Sequence, residues 1–228
     1  MTARGTIHHL VRLIVGTRSE RAQIRFLVGM AMQGVDLSGA TIEDLQLSGD
    51  RSSWYSNSGG PVLSTALDAL AISGGEAALD IGCGKGGAIL TMARYPFQRV
   101  DGVEISPELL EIARKNFTRM GIRNVRVFCS DAASFEDLDR YSFVYMFNPF
   151  PAVVMSRVLD NIARSLSRQP RVMRLLYRNP ACHELLLGAG FRVARSFHHD
   201  ALPFHLYAKE PQCPVPLTCS ASTTSARR

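Results

Sequence analysis

The nonapeptide LDIGCGKGG at residues 79–87 places four glycines directly after an apolar segment. A strand, a glycine-rich turn and a helix in this order bring the backbone close to a ligand at the carboxyl edge of a parallel sheet. The glycines fit two patterns. From Gly82 to Gly87 they match GxGxxG, which is typical of dinucleotide sites, and from Gly82 to Gly86 they match GxGxG preceded by an acid, Asp80. The stretch predicts the fold but leaves the ligand open.

Segments typical of strands alternate with segments typical of helices from about residue 75 onward, which favours a parallel sheet covered by helices. The helix after the second strand has marked ends, with Ser106 as its N-cap, Pro107 at its first position and Gly121 as its stop. We therefore predict an α/β fold with a doubly wound, seven-stranded, mostly parallel sheet. The predicted strands lie in EAALDI, RVDGVEI, NVRVFCS, SFVYMF, RVMRLLY, FRVARSF and FHLYAKE.

The composition along the chain predicts three parts. Residues 1–58 are expected to form an N-terminal helical cap or arm, and residues 59–210 a single ligand-binding domain. Residues 211–228 are rich in Pro, Ser and Thr and are expected to be a disordered tail.

The formal net charge of +6 resides at the two ends of the chain. Residues 1–25 carry five arginines and one glutamate, and residues 211–228 end on two arginines. Residues 26–210 hold equal numbers of acidic and basic side chains. A neutral centre does not favour a polyanionic partner, so we expect no nucleic acid.

Cysteine usage and hydropathy indicate the compartment. No apolar run approaches the roughly 18 residues that a membrane-spanning helix needs, and we identify no signal peptide. The five cysteines form no CxxC pair, and no His/Cys cluster has the spacing of a zinc site. We expect a cytoplasmic protein with free thiols and without a metal. The oligomeric state is left open.

Acidic residues follow three successive strands. Asp80 stands two residues before the first loop glycine, where a carboxylate would oppose the charges of a pyrophosphate but favour a cationic ligand. Glu104 ends the second strand and can accept hydrogen bonds from two ribose hydroxyls. Asp131 follows the third strand beside the small Ala132, so it can meet an adenine amine while the chain packs against the ring. Three acids at the sheet edge suit a ligand without phosphate.

The motifs LDIGCGKG, VEIS and SDA, in this order and spacing, resemble the first three motifs of the class I Rossmann-fold methyltransferases that use S-adenosylmethionine. The resemblance covers about residues 55–209 and implies the same cofactor here; a nicotinamide enzyme is the alternative. Lys85, within the loop, is expected to be solvated. The residues that the resemblance assigns to the cofactor are Asp80 at the methionine end, Gly82, Gly84 and Gly86 in the loop, Glu104 at the ribose, and Asp131 and Ala132 at the adenine.

The acceptor side is expected at the ends of the fourth and fifth strands. In methyltransferases that act on planar amino groups, a similar tetrapeptide beginning Asn-Pro lies after the fourth strand. Here Asn148 begins that tetrapeptide and would position the acceptor, but Phe150 precedes the second Pro, which leaves an amino-group substrate in doubt. A second Asn-Pro begins at Asn179. For both asparagines, a turn leaving the strand is the alternative.

Two further pairs of residues are candidates for the site. Tyr55 and Ser58 occupy a stretch that often folds over the methionine moiety in related enzymes. His183 and His205 are the first histidines to test as a base, although methyl transfer does not require one. We predict a methyltransferase with a small-molecule acceptor. The alternatives are a protein or nucleic-acid acceptor, and a module that binds S-adenosylmethionine without transferring its methyl group.

Overall fold

The structure, a computed structural model, describes residues 17–39, 56–199 and 202–211. The helices in these ranges are α1 (Arg18–Met32), α2 (Pro61–Asp68), α3 (Gly87–Met92), α4 (Pro107–Arg119), α5 (Ala152–Arg168) and α6 (His183–Gly188), with a 3-10 turn at Ala132–Ser134. The strands are β1 (Ala77–Ile81), β2 (Arg99–Glu104), β3 (Val127–Cys129), β4 (Phe143–Phe147), β5 (Met173–Arg178), β6 (Arg192–His199) and β7 (Leu202–Lys209).

The strands form one sheet in the order β3-β2-β1-β4-β5-β7-β6. Neighbours from β3 to β5 are parallel, whereas β7 is antiparallel to β5 and to β6. The strand order reverses at β1 and β4, and in open α/β sheets the crevice at such a reversal holds the ligand. The predicted seven-stranded, mostly parallel sheet is confirmed.

Two apolar layers cover the two faces of the sheet, because alternate residues of a strand point to opposite sides. On β4, Phe143 and Tyr145 pack with α2 and α3, while Val144 and Met146 pack with α5. All of β1 is buried, as expected for a central strand. The carboxyl ends of β1, β2 and β4 therefore have a rigid base.

Residues 17–39, the described stretch around α1, pack on the domain rather than standing apart from it. Helix α1 begins with a capping box between Thr17 and Glu20, and the chain after it buries Val35 and Leu37. The limits predicted for the three parts stay predictions, since residues 1–16 and 212–228 lie outside the described residues.

Lys85 corrects one expectation from the sequence. Its side chain is 4% exposed, and its ammonium contacts the Asp36 carboxylate at 2.9 Å and the Ser38 hydroxyl at 3.0 Å. The amide of Asn116 strengthens this junction by donating to the backbone oxygens of Asp36 and Lys85. The expectation of a solvated Lys85 was wrong, because a segment distant in sequence supplies its partners. The glycine loop and the segment around Asp36 are thus joined by an ion pair whose lysine is buried and whose aspartate is about half exposed.

Candidate functional site

The glycine loop between β1 and α3 has the backbone that the GxGxG pattern requires. Gly82, Gly84 and Gly86 have φ angles of 80°, 51° and 80°, in the left-handed region that side chains disfavour. A Cβ on Gly82 would lie 2.5 Å from the Cβ of Pro149. The loop therefore touches the Asn-Pro turn that follows β4.

Gly87 differs from the three loop glycines, since it does not have a positive φ angle and is the first residue of α3. A Cβ there would lie 1.9 Å from the Oδ1 of Asn57, and a Cβ on Gly59 would lie 2.0 Å from the carbonyl oxygen of Gly87. Glycine at both positions lets residues 56–60 cross the start of α3 in direct contact.

Glu104 holds the loop to the second strand. One carboxylate oxygen accepts a hydrogen bond from the Gly84 backbone at 2.9 Å. The other accepts from the backbone of Ile105 at 2.8 Å and of Ser106 at 3.0 Å, at the start of α4. A carboxylate has about four acceptor positions, so one remains for a ligand. Glu104 therefore supports the helix start and also faces the cavity described next.

A cavity of about 330 Å³ opens at the carboxyl edge of the sheet beside the loop. Most residues predicted from the sequence line it, whereas Asp80, Gly84 and Gly86 do not, and Tyr55 lies outside the described residues. The predicted residues that the structure brings together in this lining are Ser58, Gly82, Glu104, Asp131, Ala132, Asn148, Phe150 and Asn179.

The electrostatics of the cavity favour a ligand with positive charge. Its lining includes the carboxylates of Glu104 and Asp131 and, among the described residues, no Lys, Arg or His. Asp80 lies buried beneath it at 3% exposure. Burial, assisted by the nearby charge of Glu104, raises the pKa of Asp80 well above its usual range. Burial likewise raises the pKa of Glu104, against the opposing effect of its backbone hydrogen bonds. A cation would relieve this accumulation of acids, and a pyrophosphate would add to it.

Asp131 closes a turn at the end of β3 while facing the cavity. Its carboxylate accepts from the backbone of Ala133 at 2.9 Å and caps the 3-10 turn. Asp131 therefore has a structural role in this turn, and the cavity role is compatible with it. The apolar side chains of Ile105, Leu109 and Ala132 line the same region, which suits a flat ring.

The two Asn-Pro turns lie side by side, because β4 and β5 are neighbours. Asn148 and Asn179 are the non-glycine residues with positive φ in the described chain, at 38° and 52°. Asparagine tolerates this conformation better than most residues, and such backbone often marks functional sites. The Tyr177 hydroxyl donates to the Oδ1 of Asn148 at 3.4 Å. Both residues line the cavity.

The structure does not bring the candidate histidine bases into the lining. His183 Nδ1 lies 2.7 Å from the Tyr207 hydroxyl, and His205 Nδ1 lies 2.8 Å from the Ser196 hydroxyl. Burial, and next the charge of His183, lower the pKa of His205. Among the described residues no group of three His, Cys, Asp or Glu side chains could hold a metal. In the same ranges no helix is long and apolar enough to span a membrane.

Several lining residues were not selected from the sequence. Asn57 and Ile105 are direct neighbours of the predicted Ser58 and Glu104, so a wider window around each motif would have included them. Phe147 and Leu202 come from the ends of β4 and β7. Apolar residues at strand ends resemble core residues in a sequence, and only the packing shows that these face a cavity.

The middle of the chain matches a known protein family. Residues 78–169 match the family described as "Methyltransferase domain". Aklanonic acid methyltransferase DauC of Streptomyces sp. strain C5 is 34% identical over 94 residues, which are 38% of this chain and 43% of that protein. Release factor glutamine methyltransferase of Vibrio cholerae is 42% identical over 64 residues, 28% of this chain and 22% of that protein. The chain thus spans less than half the length of these curated relatives.

Solved structures confirm the fold. An RNA methyltransferase from Salinibacter ruber in complex with S-adenosyl-L-homocysteine has a TM-score of 0.51 at 19% identity, covering 68% of this chain and 94% of that one. Mitomycin 7-O-methyltransferase MmcR has a TM-score of 0.54 at 21% identity, covering 65% of this chain and 53% of that one. At these identities the likeness concerns the fold. Together with the family match, it confirms the resemblance to class I methyltransferases.

Proposed function

We propose that this chain, whose residues 78–169 match the methyltransferase domain family, transfers a methyl group from S-adenosylmethionine to a small-molecule acceptor. One observation carries the proposal. The glycine loop, two carboxylates from successive strand ends and the two Asn-Pro turns all line a single cavity. The first two are the features expected to hold the cofactor, and the turns lie where an acceptor would have to approach it.

The residues fit S-adenosylmethionine better than a dinucleotide. Its sulfonium and α-amino groups are cationic, and the acids around the cavity favour positive charge. In the proposed pose, Glu104 accepts from the ribose through its remaining acceptor position. Asp131 accepts from the adenine amine, with Ala132 against the ring. Asp80 acts from beneath the loop at the methionine end, and Ser58 covers that end from the opposite side.

The chemistry requires positioning more than acid–base catalysis. When bound, S-adenosylmethionine supplies an electrophilic methyl group whose leaving group is a neutral sulfide. The protein can then accelerate transfer by holding the acceptor in line and excluding water. Asn148 is the proposed positioning residue, since its amide borders the cavity next to the loop and Tyr177 restrains it. Asn179 lies one strand further away and would act on a more distant part of the acceptor.

The acceptor is proposed to be a small molecule because residues 26–210 carry no net charge. One similar protein is an aklanonic acid methyltransferase and another a probable (S)-tetrahydroprotoberberine N-methyltransferase, the latter 29% identical over 114 residues. A release factor glutamine methyltransferase is also similar, so a protein acceptor is the second candidate. A nucleic-acid acceptor and a non-catalytic binding module are the remaining alternatives.

The test is a screen of metabolite pools with S-adenosylmethionine labelled at its methyl group. The proposal expects label in a small molecule and one S-adenosylhomocysteine formed per methyl transferred. Label in protein or RNA instead would refute the small-molecule acceptor but keep the activity. Cofactor binding without product from any pool would favour the binding module.

A further inference from the structure

Arg178 lies next to two residues of the cavity lining, Phe147 and Asn179, without belonging to the lining itself. It is the last residue of β5. Its guanidinium carbon lies 4.7 Å from the ring centre of Phe147 and 5.5 Å from that of Phe204. Its Nε is buried and has no hydrogen-bond partner. Within the described part of the chain, no carboxylate forms an ion pair with it.

The neighbouring Arg174 shows that this arrangement is unusual for the strand. Arg174 lies four residues earlier on β5 and stacks on Phe143 at 5.3 Å. Its Nε donates to Glu76 at 2.8 Å, and a second nitrogen completes a two-bonded ion pair with the same carboxylate. The two arginines thus share a strand and a ring contact, but only Arg174 has its carboxylate. A buried guanidinium nitrogen without an acceptor is unfavourable. A ligand would act on the charge of Arg178 through the two terminal nitrogens, which are not among the buried atoms without a partner.

The position of Arg178 connects it to the acceptor side of the site. It stacks on Phe147 and directly precedes Asn179, and both of these line the cavity. Asp80 is on β1 and Arg178 is on β5, and β4 lies between these two strands in the sheet. Adjacent strands are about 4.8 Å apart, so Arg178 is roughly two strand spacings from the strand that begins the glycine loop.

We infer that Arg178 binds a carboxylate of the acceptor, an inference that rests on the proposed methyltransferase function. A planar guanidinium matches a carboxylate in a two-bonded geometry, and a single cation near two cavity acids suits one negative charge better than a phosphate. Phe147 and Phe204 hold the guanidinium plane and offer an apolar surface beside it. The acceptor would then extend from Arg178 past Asn179 to Asn148, with its reacting atom at the Asn148 end. The other source of a carboxylate is the methionine moiety of the cofactor.

The experiment uses benzoate and its neutral analogue benzamide as probes, added to the full chain saturated with S-adenosylhomocysteine. The Nε–Hε signals of Arg178 and Arg174 are assigned by NMR from their loss in Arg178→Lys and Arg174→Lys. We expect benzoate to shift the Arg178 signal to saturation and to leave the Arg174 signal unmoved, since Glu76 occupies it. Benzamide should shift neither. Arg178→Met should weaken benzoate binding at least tenfold.

Three results would overturn the inference. The first is an Arg178 signal that ignores benzoate or responds equally to benzamide, and the second is unchanged benzoate binding by Arg178→Met. The third is a tenfold loss of S-adenosylhomocysteine affinity in Arg178→Met, which would assign the carboxylate to the cofactor. Failure of the unaltered protein to bind S-adenosylhomocysteine would instead contradict the proposed function, and titration of the free protein with benzoate would still test Arg178.

Discussion

Replacing Glu104 with alanine should reduce both the stability of the free protein and its affinity for the cofactor. The carboxylate accepts backbone hydrogen bonds from Gly84, Ile105 and Ser106, and each donor left unsatisfied costs about 1–3 kcal/mol. Because water in the cavity can reach some of these donors, we expect a total loss of about 2–4 kcal/mol. For a chain of this size, 1 kcal/mol corresponds to about 2–4 °C in Tm. Glu104→Ala should therefore melt about 5–15 °C lower.

Loss of the proposed hydrogen bond between Glu104 and the ribose should act in addition. A charge-assisted hydrogen bond contributes about 1.5–3 kcal/mol, so the Kd for S-adenosylhomocysteine should rise about tenfold to a hundredfold. Glu108→Ala is the matched control. Glu108 is an acid in the first turn of α4, the helix whose start Glu104 supports, but it is not part of the cavity lining. The control should leave the Kd unchanged.

Two assays separate the roles of Glu104. Scanning calorimetry without ligand reports its anchoring of the loop, and titration calorimetry at a temperature where both proteins are folded reports cofactor binding. A lower Tm with an unchanged Kd would limit Glu104 to the loop and the helix start. An unchanged Tm would refute the reasoning about the backbone hydrogen bonds.

The remaining predictions concern the buried Asp80, the two Asn-Pro turns and the junction between Lys85 and Asp36. The raised pKa of Asp80 means that the folded state favours its protonated form, so stability is lost as pH rises through that pKa. In melting curves, Asp80→Asn should therefore have a higher Tm than the unaltered protein at pH 8, and the difference should shrink at acidic pH. The same substitution should weaken cofactor binding. Asn148→Ala should lower kcat far more than cofactor affinity, and Asn179→Ala should do so more mildly, in turnover and binding measured on the same samples once an acceptor is known. Equal losses in both quantities would place Asn148 in the cofactor pocket. Lys85→Met should lower Tm by a few degrees because it removes the hydrogen bonds from the buried ammonium to Asp36 and Ser38, and an unchanged Tm would contradict the junction.

The sheet was predictable because its signals are local. Apolar runs separated by helix signals, with Ser106 and Pro107 at a helix start, need no tertiary information. The glycine loop was equally accessible, since the three positive φ angles fall on the glycines of GxGxG. The place of Glu104 and Asp131 in the cavity lining was predictable because acids at the ends of neighbouring parallel strands meet at one edge of the sheet.

The rest depended on contacts between distant segments. Lys85 was expected in solvent, but Asp36, far away in sequence, buries it. His183 and His205 were candidate bases by position along the chain, yet their pairing with Tyr207 and Ser196 lies outside the cavity lining. Arg178 looked like an ordinary charged residue at a strand end. Only the side chains around it reveal that it lacks a carboxylate.

Calorimetric titration of the unaltered protein with S-adenosylmethionine, S-adenosylhomocysteine and NAD tests the central claim most directly. The acids around the cavity and the absence of a basic residue from its described lining predict that both adenosyl ligands bind at one site per chain and that NAD does not. Tighter binding of NAD than of S-adenosylmethionine would contradict the assignment of the cavity, as would the absence of binding by either adenosyl ligand.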